Sequence, residues 1–352
     1  LWTLLYVPLA ADGLYTPLGQ NPKTNFFINV NQEATAAVHV TIPQLTPTIQ
    51  PFFTRVMEKY FAVVQANPNR EVVIMCLIQI INVLTMLGKP AAMACINELS
   101  SLAVDVLKQQ LVCQKMLSED DGSNIHEAES DIFAYTNDLL ALLVRMFGAS
   151  LAPYFVQLYP LVSNIITKHN KNHIKAIAIG IIADFIATTH MCPQEIFEPA
   201  LTLMMNCFTN CRDMIANNAI FGLGTLVEAI KQTQPQLAVT IGQQLLGAIA
   251  VKLQQKPKRL LIDNMISCVC RVVSIENNPY PVASILLQIL PYLPLKVDHE
   301  EELNVYQTFV RFFTTVPELQ QHLPTLKQAL QIAASQPEIL PQTAAFLSQL
   351  TI

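Results

Sequence analysis

Apolar residues recur along this chain at helical spacing, in stretch after stretch. Over 212–230, Ile215, Ala219, Gly222, Leu223, Leu226 and Ile230 fall on one face of a 3.6-residue helix, and that face reads as core. Over 71–87, Val72, Met75, Cys76 and Ile80 repeat the pattern, and Gly88 follows as a C-terminal cap. Between 65 and 71 stand Asn67, Pro68, Asn69 and Arg70, a turn whose proline stops the preceding helix. The spacing predicts helices in pairs: 48–65 with 71–87, a longer 90–117 with 130–147, 153–167 with 172–188, 193–208 with 212–231, 235–254 with 258–275, 281–293 with 300–314, and 317–334 with 337–350. Residues 1–47 are less regular. Helices there, at 2–18 and 31–40, are kept short by Pro8, Pro17, Pro22 and Pro43.

The pairs follow a fixed period. Pro153, Pro193, Pro235 and Pro281 each open a first helix, at intervals of about 40, 42 and 46 residues, the HEAT-type spacing. Proline is well tolerated in the first turn of a helix. The second helices open with Lys171-Asn172, Arg212-Asp213 and Lys258-Arg259. One helix pair cannot bury its own apolar face, so such a period predicts stacking. The expected fold is all-α: a right-handed α-α superhelix, or HEAT-repeat solenoid, of about eight repeats. Residues 1–47 form a poorly legible first repeat, 48–352 the body, and an acidic loop lies near 118–130. Such a fold offers a long concave surface to a partner.

Composition fits that reading. Of 352 residues, 52% are hydrophobic and only 13% charged, as expected when each helix is flanked by others, and disorder is excluded. The strongest apolar runs, 72–87 and 174–186, are interrupted by Gln79 and Asn82 and by Lys175 and Asp184. Both fall short of the roughly 20 residues of a membrane span, so no membrane is expected. The net charge of −5 comes with no basic stripe, which argues against nucleic acid and for a basic partner. The chain opens at Leu1 without a charged region ahead of a short apolar one, and reads as part of something longer with no signal peptide. Its eight cysteines lie in apolar helical stretches, with no CxxC and no disulfide framework. His169 and His173 lack the glutamate of a zinc-protease helix, so no metal or cofactor is expected. No catalytic motif is present, and an enzyme is not expected.

The polar residues of the second helices are what packing leaves unexplained. Asn218, Thr225 and Glu228 fall together beside the core face of 212–230. Gly222 and Gly224 in mid-helix cost about 1 kcal/mol each relative to alanine and imply a close helix approach. Matching Gly180 to Gly224 puts Asp184 where Glu228 stands. Matching the next repeat puts Asp263 and Asn264 at the Asn217-Asn218 position. Asp298, Glu300, Glu301 and Glu302 are read at the opening of the following second helix, where carboxylates suit the helix dipole. Together they predict a ladder of carboxylates and amides able to accept lysine ammonium groups, with apolar neighbours covering the lysine stems. Singly, each also fits a helix cap or a bond to a neighbouring backbone. The acidic residues from Glu119 to Asp131 read as a solvating loop, or as a contact for basic cargo.

Several stretches, kept in order from about residue 50 to 350, resemble the importin β (karyopherin β) superfamily, its importin 4-like branch in particular. They are Pro68-Asn69-Arg70-Glu71-Val72-Val73, Asn218-Ala219-Ile220-Phe221-Gly222-Leu223-Gly224 with Glu228, Asp263-Asn264 followed by Arg271, and Leu293-Pro294-Leu295-Lys296-Val297-Asp298-His299-Glu300-Glu301. The resemblance implies the C-terminal half of a nuclear import receptor that shuttles between cytoplasm and nucleus. It implies lysine-rich cargoes such as histones H3 and H4 and ribosomal proteins. Ran-GTP would be met mainly by an N-terminal arch outside this chain, and FG nucleoporins would enter grooves between first helices. By resemblance, Glu228, Asn264 and the turn from Asp298 to Glu302 fall where the family forms a lysine pocket; Asp184, Asn218 and Asp263 join them from helical geometry. The rival expectation is a HEAT scaffold for a phosphatase or vesicle coat with no transport role.

Overall fold

The computed structural model describes residues 45–115 and 124–350, with side chains in the helix that opens at 124 described from Glu129 on. The helices expected at 2–18 and 31–40, and most of the acidic stretch, lie outside the described residues. Every regular element among the described residues is helical. In chain order they are α1 (Gln50–Ala66), α2 (Arg70–Leu87), α3 (Lys89–Ala94), α4 (Ile96–Leu107), α5 (Val112–Lys115), α6 (Asn124–Phe147), α7 (Ala152–Lys168), α8 (Asn172–Thr189), α9 (Gln194–Asn210), α10 (Asp213–Ile230), α11 (Pro235–Gln254), α12 (Arg259–Val273), α13 (Val282–Ile289), α14 (Glu302–Thr315), α15 (Pro317–Gln320), α16 (Leu323–Ala334) and α17 (Pro341–Ser348). Short 3₁₀ turns follow α6 and α13.

Local chemistry sets these boundaries. Asn69 caps α2, its side chain accepting from the backbone of Glu71 and Val72, and Gly88 ends the helix at φ +70°. Of the four prolines expected to open first helices, Pro153 and Pro235 stand in the first turn of α7 and α11, while Pro193 and Pro281 stand one residue ahead of α9 and α13 at their capping positions. The long helix expected over 90–117 is instead three. Cys95 leaves helical geometry at φ −135°, and Gln109 turns the chain at φ +55°, neither marked by proline or glycine. The acidic loop is also shorter than expected: α6 begins at Asn124, so Glu129 sits in a helix, where it pairs with Lys171 of the next repeat. The helix expected over 300–314 starts at Glu302, and the stretch from Leu293 to Glu301 is a loop. The helix expected over 317–334 breaks into α15 and α16, and that over 337–350 opens at Pro341.

Helices α2, α6, α8, α10, α12 and α14, the second of each pair, pack closely on one another in sequence order. The first helices α4, α7 and α9 touch their neighbours sparsely. A curved stack has this form: the inner layer is compressed and the outer layer fans apart. The second helices therefore make the inner wall. Their interior is dense. In α10, Ile215, Ala219, Ile220, Leu223, Leu226 and Val227 are all buried. The expected close approach at the glycines is present: a Cβ on Gly222 would stand 2.6 Å from Met204 Sδ and 3.0 Å from Ala183 Cβ. One on Gly224 would stand 3.3 Å from Cys268 Cα.

Three described segments are long and apolar enough to cross a membrane by length and composition: Arg70–Leu87, Glu129–Lys168 and Pro235–Gln254. The expectation that the apolar runs are too short is thus corrected for the first, whose helix opens at Arg70. The solenoid uses that helix as a packed row, with Val73, Ile74, Leu77, Ile80, Val83 and Leu84 buried against neighbours.

Candidate partner-binding wall

The inner wall gathers polar groups from α6, α8, α10, α12 and the loop before α14. Asn264 of α12 is 2% exposed. Its Nδ2 donates to Asn217 Oδ1 of α10 at 3.1 Å and to Asp298 Oδ2 at 2.6 Å. Asn218 donates to the Ala176 carbonyl of α8 at 2.8 Å and accepts from Asn217 at 3.2 Å. Asn137 of α6 donates to Asp184 Oδ2 at 3.4 Å. All of these bonds except that between Asn217 and Asn218, neighbours in α10, join one repeat to another. A buried amide left without such a partner would cost about 1–3 kcal/mol, which is why these side chains are engaged.

Asp263 is fully buried and holds the loop rather than facing the hollow. Its Oδ2 accepts from the backbone N–H of Lys296 at 2.9 Å, Val297 at 2.8 Å and Asp298 at 3.3 Å. Its Oδ1 stands 2.9 Å from Arg259 Nε, an ion pair off the line of a hydrogen bond. Arg259 also donates to the carbonyls of Tyr292 and Pro294. Glu301 is 7% exposed and receives Ser267 and both terminal nitrogens of Arg271. Glu302 is fully buried, with His299 Nδ1 at 3.1 Å and the Tyr306 hydroxyl donating at 3.3 Å; burial pushes its carboxyl up. Of the nine residues expected to grip lysine, four (Asp263, Asn264, Glu301 and Glu302) are therefore interior and internally bonded.

The other five keep accessible surface. Asp184 and Asp298 are half-buried. Burial is the main cause that pushes both carboxyls up. For Asp184 the Asn137 bond opposes this while Asp138 and Glu300 add like-charge repulsion; for Asp298 the Asn264 bond opposes it and Glu301 and Glu300 add to it. Glu300 is exposed, and its negative charge adds to the upward push on the Asp184 carboxyl. Asn218 is half-buried. Glu228 is paired 2.7 Å from Lys231. Asp138 of α6, which sequence reasoning did not single out, is exposed over part of its surface, yet desolvation of its carboxyl by the surrounding protein pushes it up, with Arg145 opposing. Arg271 was noted in the sequence only as part of a resemblance. It sits mid-wall, 5.9 Å from the Phe221 ring centre, and neutralises Glu301.

On the outer layer, α7 and α9 border an open groove of about 510 Å³ lined by Tyr159, Ser163, Pro199, Thr202, Leu203 and Asn206, with Glu198 at its edge. No group of His, Cys, Asp and Glu among the described residues could hold a metal ion. Burial pushes the thiols of Cys95, Cys192, Cys207 and Cys268 up to about 12, so none is a ready nucleophile.

This architecture is an all-α HEAT-repeat superhelix whose inner wall mixes accessible carboxylates with interior amide bridges. No family model matches the chain. It is similar to importin-4 of Mus musculus, 25% identical over 285 residues, which is 78% of this chain and 26% of that protein. It is similar to importin-4 of Homo sapiens, 24% identical over 314 residues, 86% of this chain and 28% of that protein. The probable importin subunit beta-4 of Schizosaccharomyces pombe is 23% identical over 241 residues, 65% of this chain and 22% of that protein. Among solved structures, karyopherin Kap121p bound to RanGTP superposes with a TM-score of 0.57 at 12% identity, over 87% of this chain and 30% of that one. Kap121p bound to Nup53p gives 0.56 at 13%, over 84% and 29%. The chain thus spans about a quarter of the length of the curated relatives it matches. It is similar in sequence to importins over most of its own length, and it shares the all-α solenoid of the karyopherin structures.

Proposed function

We propose that this chain is a cargo-binding section of a nuclear import receptor, acting between cytoplasm and nucleus as a carrier rather than as an enzyme. The observation that carries the reading is the sequence likeness to importin-4 over 78% to 86% of the chain, on a solenoid whose hollow side presents carboxylates. Cargo of this chemistry is lysine-rich, and histone H3 and H4 tails and ribosomal proteins are its natural examples. Asp138, Asp184, Asp298 and Glu300 supply the accessible charge. Asn218 and Glu228 border it. Asn264, Asp263, Glu301 and Glu302 hold the wall in shape from behind.

Kap121p is bound to RanGTP in one relative structure and to Nup53p in another. For this chain, Ran-GTP is expected to act mainly through parts of the receptor beyond it. FG nucleoporins are assigned to the outer groove between α7 and α9, where Tyr159, Pro199 and Leu203 offer an apolar floor.

Titration calorimetry with a lysine-rich H3-tail peptide tests the cargo reading. The paired reversal Asp184→Lys with Glu300→Lys is expected to weaken binding at least tenfold and to flatten its salt dependence, with the melting temperature of the chain held. Unaltered affinity in that variant overturns the assignment of the wall.

A further inference from the structure

The turns joining first to second helices carry cations that the inner wall does not use. Lys168 closes α7, Arg212 stands just before α10, Lys256 and Lys258 lie in the turn before α12, and Lys296 lies in the loop before α14. All five are exposed, and none forms an ion pair among the described residues. Lys171, on the same edge, is engaged by Glu129 and is not counted. The sequence shows no basic stripe because these cations come from turns about 40 residues apart, one HEAT period; the fold sets them side by side.

The edge is rigid. The Lys258 backbone N–H donates to Asp213 Oδ2 at 3.2 Å, and Lys252 Nζ donates to the Cys211 carbonyl at 3.3 Å, binding two successive turns together. Arg259 donates to the Pro294 carbonyl at 2.7 Å, and the Lys296 N–H donates to Asp263, which fixes the next. Carboxylates on this edge are already engaged: Asp213 by Lys258, Glu129 by Lys171, and Asp298, two residues past Lys296, by Asn264. Among the described residues of this edge only Glu300, farther along the same loop, remains exposed.

Local stability does not account for the pattern. Lys171, Arg212 and Lys258 occupy the capping position of α8, α10 and α12 in extended geometry and make no side-chain cap. That position favours Asn, Asp, Ser or Thr by about 1 kcal/mol, and the helix dipole there disfavours a cation by about 0.3–1 kcal/mol. The same chain uses the ordinary device at α2, where Asn69 caps. The departure recurs in three successive repeats. Local rules broken without local compensation are characteristic of functional surfaces.

We propose that this edge is a docking ridge for an extended acidic peptide segment of a partner protein, with a carboxylate at about every third position. Packed helices lie about 8–10 Å apart, and an extended chain rises about 3.3 Å per residue, so every third side chain meets the next turn. Duplex nucleic acid is a poorer match. It carries a charge per about 1.7 Å, far denser than the ridge, and the chain's net charge of −5 repels such a polyanion at long range.

Fluorescence anisotropy on the whole chain tests this with a labelled peptide bearing Glu at every third position between Ser and Gly. The Gln version of the peptide is expected to bind at least tenfold more weakly, and a version with its glutamates blocked at one end severalfold more weakly. Arg212→Glu with Lys258→Glu is expected to weaken binding at least tenfold, while Lys59→Glu, an exposed charge on α1, leaves it unchanged. Lys168→Gln with Lys296→Gln, which alters only exposed side chains away from the caps, is expected to weaken binding about threefold even where the double reversal fails to fold. Equal binding of the Gln peptide, or no loss in both variant pairs, overturns the proposal. A single-stranded oligonucleotide that binds through the same residues more tightly than the Glu peptide overturns it in favour of nucleic acid.

Discussion

Asn264 and Asp298 meet at 2.6 Å, amide nitrogen to carboxylate oxygen, across the step from α12 to the loop before α14. The same amide reaches back to Asn217 in α10 at 3.1 Å. One side chain thus links three consecutive repeats. It also anchors Asp298 through Oδ2, while the residue keeps part of its surface accessible. The wall that would receive a lysine is therefore built in two depths: interior amides and carboxylates that bind repeat to repeat, and a thinner accessible set held in place by them.

Asn264→Ala separates these depths. It leaves the buried Asn217 Oδ1 and the half-buried Asp298 with a lost donor, so the expected loss of stability is about 1–3 kcal/mol. Urea unfolding measures it. Affinity for a lysine-rich peptide, taken well below the unfolding midpoint, is expected to fall less than threefold, because the residue itself is 2% exposed. A tenfold loss of affinity at unchanged stability contradicts the interior assignment.

Asp263→Asn removes the charge that gathers three backbone N–H groups and Arg259. Breaking a buried pair costs about 3–5 kcal/mol, and Arg259 keeps its two carbonyl partners, so a loss of about 3 kcal/mol is expected. Hydrogen exchange is expected to rise at Lys296, Val297 and Asp298 before it rises in the body of α12. Exchange that rises equally in both places overturns the role given to Asp263.

Why the sequence showed the helices and not the wall follows from range. Helix pairs rest on spacings of three and four residues and on prolines in first turns, all local. The breaks at Cys95 and Gln109 have no proline or glycine to announce them, so 90–117 reads as one helix. The residue types of the ladder were legible, since matching Gly180 to Gly224 puts Asp184 where Glu228 stands, and matching the next repeat puts Asp263 and Asn264 at the Asn217-Asn218 position. Their partners were not. Asp263 is satisfied by a loop 33 to 35 residues later. Whether a carboxylate ends inside or on the hollow depends on that loop, which carries no periodicity. Arg271 likewise reads as one polar residue of a helix, and only the return of Glu301 beside it makes it a neutralised mid-wall group.

Two glycine substitutions are expected to act in opposite directions. A Cβ on Gly222 meets Met204 Sδ and Ala183, so Gly222→Ala is expected to cost about 1–3 kcal/mol of overpacking against about 1 kcal/mol of helix propensity gained. Gly247 in α11 has nothing within 4 Å of its would-be Cβ, and Gly247→Ala is expected to stabilise by about 1 kcal/mol. Thermal unfolding of both variants decides. A stabilised Gly222→Ala would mean that α8 and α10 are not in the close contact described.

Proton linkage gives the last test, and it reaches both stability and binding. Burial pushes the carboxyls of Asp184 and Asp298 up, and neighbouring carboxylates add to it. The folded state therefore holds these protons more tightly than the unfolded chain. Stability from the two groups is fully present below the ordinary carboxylate value of about 4 and is lost as pH rises through their folded values. Asp184→Asn, which keeps an oxygen to accept from Asn137, is then expected to raise the melting temperature at about pH 7 and to leave it nearly unchanged at about pH 4. A lysine ammonium needs the opposite state. It binds the charged carboxylate, so affinity for a lysine-rich peptide is expected to rise with pH over the same window, with protons released on binding at its lower end. Calorimetry in two buffers of different ionisation enthalpy counts those protons. Asp184→Asn is expected to lower affinity at about pH 7 and to reduce the proton count. If the count and the pH dependence are the same in the variant, Asp184 does not meet the lysine.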